Sequence, residues 1–201
     1  MATTTHLLYL HGFRSSPKSF KAQMLAQHIA QLNAQGAGLT WSCPQLPPSP
    51  AQAWSLMQQI TASWPADTMV VLGSSLGGFY ATVLAEHRGC RAAVINPAIE
   101  PARDLARYIG EQTSFHDPQD HFFFRAEFID EFKALARYPI TRPERYWALI
   151  AKGDEVLDWR EMSARYQGSH LTLLEGSDHA VSDFDQHMPG LLSWLGLPAS
   201  A

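Results

Sequence analysis

The sequence is poor in the features that mark several large classes of protein. Cys43 and Cys90 are the two cysteines among 201 residues, and they lack the spacing of a zinc site, so we predict reduced, partly buried thiols. Charged residues make up 17% and the net charge is −4, which leaves no basic surface of the kind that binds nucleic acid. No apolar stretch approaches the roughly 20 residues that span a bilayer, so we expect no membrane span.

Signals for targeting and for metal binding are also lacking. Met1–Thr5 carries no charged and apolar leader before the first predicted strand, so we expect a cytoplasmic protein. His116, Asp120 and His121 have the composition of a metal site, but their spacing matches no established set of ligands. We therefore expect no metal and no organic cofactor. The sequence does not indicate an oligomeric state.

The sequence does contain a regular alternation of predicted strands and helices. Hydrophobic residues make up 46% of the chain, enough for a sizeable core in one domain over residues 1–201. Strands are predicted near 6–10, 39–43, 68–73, 92–96, 146–151 and 170–174. Helices are predicted near 17–34, 51–64, 76–87, 125–137, 159–167 and 184–195. This alternation is typical of the α/β class, with a parallel sheet covered by helices on both faces.

The most informative motif is Gly-Ser-Ser-Leu-Gly at residues 73–77, which has the pattern G-x-S-x-G. It follows a predicted buried strand and precedes a predicted buried helix, the context in which this pattern forms a sharp turn that exposes the serine. Glycines on both sides let the strand and the helix approach each other closely. The motif therefore predicts that Ser75 is a nucleophile at the carboxyl edge of the sheet.

A serine nucleophile needs a general base and an acid that orients the base. Asp154 and His179 each come just after the carboxyl end of a predicted strand, which is where open α/β sheets place their sites. We assign His179 as the base and Asp154 as the acid. The alternative is that Asp154 caps a helix and that Asp158 or Glu155 is the acid.

The loop after the first strand predicts an oxyanion hole. Two backbone N–H groups must point to where negative charge develops, and we assign them to Leu76, directly after the nucleophile, and to Phe13. Gly12 lets the backbone approach the substrate. His11 borders the same loop, and we expect it to brace the loop rather than act as a second base.

Seven segments in this order carry a family resemblance: Leu8–Phe13, Ser15–Pro17, Pro44–Pro48, Gly73–Thr82, Val94–Ala98, Gly153–Asp158 and Asp178–Ala180. With them the chain resembles the YqiA-type small bacterial esterases. The resemblance implies a single-domain α/β hydrolase with a six-stranded, mainly parallel sheet in the order 2-1-3-4-5-6. It also implies activity on esters and, in one member, on acyl-CoA thioesters, and it supports the assignment of Ser75, Asp154 and His179.

The middle of the chain resembles the family less closely. The interval from Asn96 to Arg145 has no strand-like run, and in hydrolases of this type an insertion there forms a cap, which we expect at about 97–145. Three consecutive phenylalanines in it cannot all face one way, so we expect Phe123 to line an acyl pocket unless the three rings pin the cap to the sheet.

The expected function is hydrolysis of a small carboxylic ester through an acyl-enzyme. Three alternatives stay open: an acyl-CoA thioesterase with the same three residues, a carbon–carbon hydrolase, and a binding protein without turnover. For the thioesterase, the candidates for contact with the CoA phosphates are Arg14, Lys18 and Lys21, although a solvated helix face explains them equally well.

Overall fold

Six parallel strands form the central sheet. The structure is a computed structural model that describes residues 3–137 and 139–199. Its strands are β1 (His6–Leu10), β2 (Thr40–Ser42), β3 (Met69–Ser74), β4 (Arg91–Ile95), β5 (Gly110–Thr113), β6 (His121–Phe124), β7 (Tyr146–Ala151) and β8 (His170–Leu174). The central sheet has the order β2-β1-β3-β4-β7-β8, and every pair in it is parallel. The predicted order is confirmed.

The α-helices in the described residues are α1 (Phe20–Ala34), α2 (Pro50–Thr61), α3 (Leu76–Arg88), α4 (Pro101–Asp104), α5 (Glu127–Leu135), α6 (Trp159–Arg165) and α7 (Phe184–Leu195). Six of them lie within three residues of the predicted ranges at each end, and a further one, α4, was not predicted. In the described part of the chain, none of them combines the length and the apolar character needed to cross a bilayer.

The strands bury side chains on both faces of the sheet. In β1, Leu8 and Leu10 belong to one core cluster, while Leu7 and Tyr9 belong to another. This division follows from the two-residue period of a strand, which sends successive side chains to opposite faces. Helices α2, α3, α5 and α6 pack on the first face, and α1 and α7 pack on the second. A strand that is apolar at every position is therefore buried on both sides.

The connection between β4 and β7 contains strands that the sequence analysis missed. β5 pairs with β6 in an antiparallel hairpin, so the expectation of a strand-free interval from Asn96 to Arg145 is wrong. The reason is that β5 is four residues long and mostly polar, so hydrophobic periodicity gives no signal for it. The remainder of this connection includes α4 and α5, and α5 packs against α2.

Candidate active site

Ser75 lies in a tight turn between β3 and α3. Its backbone has φ 56° and ψ −122°, an uncommon conformation for a residue with a side chain. A Cβ added at Gly73 would lie 2.0 Å from the Gly77 carbonyl oxygen, and one added at Gly77 would lie 1.9 Å from the carbonyl oxygen of Leu10. Both positions therefore require glycine. Within the run 69–85, Ser75 is the one residue that is not buried.

Two hydrogen bonds connect Ser75, His179 and Asp154. His179 Nε2 lies 3.0 Å from Ser75 Oγ, and His179 Nδ1 lies 2.8 Å from Asp154 Oδ2. The Asp154 side chain is 0% exposed and the imidazole is 21% exposed. Since the carboxylate accepts a hydrogen bond from the N–H at Nδ1, Nε2 is left with a lone pair toward the hydroxyl of Ser75.

The turn after β7 orients the Asp154 carboxylate. Its Oδ1 accepts hydrogen bonds from the backbone N–H groups of Val156 and Leu157, each at 2.8 Å, so Oδ2 is left for the imidazole. The two other carboxylates weighed for this position lie elsewhere. Asp158 accepts a hydrogen bond from the Arg160 N–H and caps α6, while Glu155 accepts one from the backbone N–H of His179.

Asn96 connects the loops of Asp154 and His179, and the sequence analysis assigned it no role. The side chain is fully buried; its Nδ2 donates to the carbonyl groups of Asp178 and His179, at 2.9 and 3.1 Å. Its Oδ1 accepts from the Ala151 N–H at the end of β7, at 2.8 Å. The available signal was its position directly after β4, at the same edge of the sheet as Ser75.

The loop after β1 approaches Ser75 from the other side. A Cβ at Gly12 would lie 3.2 Å from the Cβ of Ser75. His11 is buried, and its ring hydrogen-bonds to the Gly12 carbonyl and to the Leu46 N–H, so it ties this loop to the loop after β2. Burial also lowers the pKa of His11, which favours the neutral ring.

The backbone N–H groups of Phe13 and Leu76 donate no hydrogen bond to any residue in the described ranges. For Leu76 this follows from its position as the first residue of α3, where N–H groups have no acceptor within the helix. Both residues border a cavity that also contains Ser75 and His179.

Phe122, rather than Phe123, extends toward the site. The ring of Phe122 packs edge-on against that of Phe13, with 5.9 Å between the ring centroids, and the centroids of Phe124 and Phe13 are 5.2 Å apart. Phe123 is 58% exposed and borders none of the three cavities beside the Phe13 loop, which are described below. Strand alternation in β6 sends it to the opposite side of the hairpin.

Three cavities surround the Phe13 loop. The largest, about 480 Å³, borders Ser75 and His179 and is lined by side chains of α1 and the loop before it. A second, about 160 Å³, borders Ser75 and His179 on another side; its walls are mainly apolar, with Arg14, Asp104 and Arg107 among them. A third, about 400 Å³, borders Leu76 and Phe122.

The three basic residues near the site differ in their surroundings. The Arg14 guanidinium donates to the Thr113 carbonyl and stacks on the ring of Phe115 at 4.4 Å. Lys18 is exposed and borders none of these cavities. Lys21 is 8% exposed and borders the largest one.

Solved structures with this fold include hydrolases. The chain superposes with a TM-score of 0.69 on alpha/beta hydrolase domain-containing protein 10 from mouse, at 15% identity, covering 97% of this chain and 92% of that one. It superposes on a structure of the metagenome-derived lipolytic enzymes LipS and LipT with a TM-score of 0.68, at 18% identity, covering 98% and 95%. For the monoacylglycerol lipase of Paleococcus ferrophilus the TM-score is 0.66 and the identity 16%, covering 96% and 95%.

The sequence itself matches one family over nearly its whole length. Residues 6–196 match the uncharacterised protein family UPF0227, which is the YqiA family. The expected resemblance is thus confirmed at the level of the family, and the structural neighbours agree with it in fold. The chain belongs to the UPF0227 family and has the α/β-hydrolase fold.

Proposed function

We propose that the protein is a serine hydrolase that cleaves small carboxylic esters through an acyl-enzyme. The observation that carries this proposal is the continuous contact from Ser75 Oγ to His179 Nε2 and from His179 Nδ1 to Asp154 Oδ2, at 3.0 and 2.8 Å. A hydroxyl, an imidazole and a buried carboxylate in this order are the components of a catalytic triad. The lipolytic enzymes among the structural neighbours are consistent with this activity.

In the proposed first half-reaction, Ser75 Oγ attacks the ester carbonyl and His179 Nε2 takes its proton. The tetrahedral intermediate collapses, its bond to the alcohol oxygen breaks, and the imidazolium protonates the leaving alcohol. A water molecule then attacks the acyl-enzyme, with the same imidazole as base, and releases the acid and free Ser75. Asp154 stays ionised and stabilises the imidazolium.

The proposed oxyanion hole consists of the N–H groups of Leu76 and Phe13. Both are without an acceptor among the described residues, so both are available to the oxygen on which charge develops. Gly12 supports this assignment because its missing side chain lets the loop lie against Ser75. In this proposal His11 acts by tying the loop to Leu46 rather than by touching the substrate.

We assign the acyl group to the cavity of about 160 Å³. Its walls include the apolar side chains of Leu105, Tyr108 and Leu157. A dry cavity of about 150 Å³ in another protein takes up benzene, so a cavity of this size holds an apolar group of about six carbons. The residues of the cap proposed over 97–145 supply part of this wall, and the substrate preference therefore depends on them.

The first prediction concerns the chain length of the acyl group. We expect the protein to hydrolyse p-nitrophenyl esters with kcat/KM highest for acyl chains of about four to six carbons, and at least about tenfold lower for palmitate, because the cavity cannot enclose a long chain. Release of p-nitrophenol over the series from acetate to palmitate measures this. An optimum at palmitate would contradict the assignment of the acyl pocket, and no hydrolysis at any length would contradict the proposed esterase.

A second prediction separates the proposed acid from its neighbour. Asp154→Asn keeps Oδ1 for the N–H groups of Val156 and Leu157, but it replaces the acceptor of the imidazole proton by an amide that donates. We expect kcat to fall by roughly 10²- to 10⁴-fold. Asp158→Asn is the control: asparagine caps helices as well as aspartate does, so its kcat should change by less than about threefold. Equal losses in both variants would refute the assignment of Asp154.

A further inference from the structure

We propose that the cavity of about 480 Å³ binds a carboxylate on the leaving-group part of the substrate, with Lys21 as its main partner. This inference rests on the proposed ester hydrolysis, because it takes Ser75 as the reacting group. It adds a substrate class: esters whose alcohol carries an anionic group. Three features of the cavity support it.

The first feature is a buried ammonium group. Lys21 is 8% exposed, although lysine is among the residues that are almost never buried without a partner. Its Nζ donates to the carbonyl of Ala180, the residue after His179. An ammonium has three donors, and the other two have no acceptor among the described residues. Burial lowers the pKa of Lys21 to about 8, against an attraction from Asp178, and a bound anion would oppose this effect.

The second feature is the amino terminus of α1, which opens into the same cavity. Ser19 precedes α1 but makes no capping hydrogen bond, and its buried Oγ interacts with the side chain of Tyr9. Ser19, Phe20 and Lys21 all border the cavity. A helix of 15 residues carries partial positive charge at its first turn, together with N–H groups that have no acceptor within the helix. The ammonium of Lys21, in this first turn, therefore lies where the helix favours an anion.

The third feature is the absence of acidic side chains from the described walls of this cavity. The other two cavities include Asp104 and Asp120, respectively. Asp178, the acid that attracts the charge of Lys21, is outside the walls of this cavity. Its carboxylate accepts hydrogen bonds from the N–H and the hydroxyl of Ser182, at 2.9 and 2.6 Å, and within the described residues it makes no hydrogen bond to Lys21. The charge of Lys21 is thus available to a ligand.

The position of the cavity determines which part of an ester it would hold. It borders Ser75 and His179, as does the smaller cavity assigned to the acyl chain. With the acyl chain in the smaller cavity, the alcohol part of the ester falls to the larger one, where hydroxyl groups and the ammonium of Lys21 replace water. A carboxylate at this end would form a charge-assisted hydrogen bond with Lys21.

The test compares matched pairs of butyrate esters. One set has glycolate, 3-hydroxypropanoate or 4-hydroxybutanoate as the alcohol, which varies the distance between the ester and the carboxylate; the other set has the corresponding primary amides. For at least one spacing, we expect the wild type to show a kcat/KM for the carboxylate about 10- to 100-fold above that for the amide. Chromatographic measurement of released butyrate gives both rates.

Variants of lysine locate the source of this preference. In Lys21→Met, which keeps most of the length and removes the charge, the preference should fall to within about twofold, whereas Lys21→Arg should keep much of it. Lys18→Met is the control, because Lys18 is exposed and lies outside the cavity. A residue that only held the loop of His179 through Ala180 would slow both esters equally. A preference that survives Lys21→Met, or one that is absent at all three spacings, would overturn the proposal.

A binding measurement keeps this inference separate from the proposed catalysis. Calorimetric titration of Ser75→Ala with each carboxylate ester and its amide measures affinity without turnover. We expect tighter binding of the carboxylate, again by about 10-fold or more, and loss of this difference in the double variant with Lys21→Met. A carboxylate preference in binding without hydrolysis by the wild type would contradict the esterase but support the anion site. Hydrolysis by the wild type, together with equal binding of the carboxylate ester and its amide, would support the esterase and contradict the anion site.

Discussion

Replacement of Ser75 by alanine is expected to lower kcat for p-nitrophenyl butyrate by roughly 10⁴- to 10⁶-fold, the largest effect of any single substitution on activity. The reason is that the hydroxyl oxygen of Ser75 would form the acyl-enzyme, and His179 Nε2 hydrogen-bonds to no other hydroxyl among the described residues. Residual activity would come from the oxyanion hole and from substrate binding alone.

The fold should be unaffected by this change, which makes the loss of activity interpretable. The backbone of Ser75 donates to the Ile95 carbonyl and accepts from the Ala98 N–H, and both bonds remain in the alanine variant. Circular dichroism and thermal unfolding should therefore match the wild type. Ser163→Ala, a change of the same kind on α6, is the control and should keep full activity. A rate in Ser75→Ala equal to that of the wild type would mean that another nucleophile acts.

Replacement of Gly77 by alanine is expected to give the largest loss of stability. The new Cβ would lie 1.9 Å from the carbonyl oxygen of Leu10 and 2.8 Å from that of His11, and both are backbone atoms at the end of β1 that cannot rotate away. Overpacking against a backbone distorts the structure, so we expect the free energy of unfolding to fall by about 3 kcal/mol or more. For a chain of this length the melting temperature would fall by about 6 to 12 °C or more.

A second glycine offers a matched control for this experiment. Gly190 lies within α7, and a Cβ added there would meet no heavy atom within 4 Å. Because alanine favours helices more than glycine does, Gly190→Ala should raise stability by about 0.5 to 1 kcal/mol. Urea unfolding of both variants measures the difference. A Gly77→Ala variant as stable as the wild type would show that β1 and α3 need not approach so closely.

The close contact between β1 and α3 at Gly77 also positions the candidate active site. Gly77 lets the end of β1 lie against the first turn of α3, and the loop of Gly12 and Phe13 begins at that end. The distance between the N–H groups of Phe13 and Leu76 is therefore set by how closely the strand and the helix pack. A partly folded Gly77→Ala variant should accordingly lose activity as well as stability.

Most of the fold could be predicted from local patterns. Strand β7 is apolar over all six residues and β3 over its first four, and both are buried at every position. The hairpin of β5 and β6 had no such signal. Its polar strand is four residues long, and it forms because β6 buries Phe124 against the core, a contact that depends on the rest of the chain. The directions of the Phe122 and Phe123 side chains depend on β6, which the sequence analysis did not predict either.

The candidate site, like the fold, could be predicted from local patterns only in part. The turn at Ser75 could be predicted because the glycines, the buried strand and the buried helix that produce it are neighbours in sequence. The choice among Asp154, Glu155 and Asp158 stayed open, because three carboxylates within five residues differ only in which one the turn aims at the imidazole. The orientation of the Asp154 carboxylate depends on hydrogen bonds from two backbone N–H groups, and no local sequence pattern indicates it.

Local sequence patterns were sufficient to predict the alternation of strands and helices, the sharp turn at Ser75 and the presence of an acid and a histidine at the same edge of the sheet. These are consequences of side-chain period and of backbone freedom at glycine, which act over a few residues. The tertiary structure alone shows that Asn96 joins the loops of Asp154 and His179 and that Lys21 is buried in a cavity that also borders Ser75. Both depend on packing between segments that are about 50 to 160 residues apart in the chain, as the bonds from Asn96 to Ala151 and from Lys21 to Ala180 show.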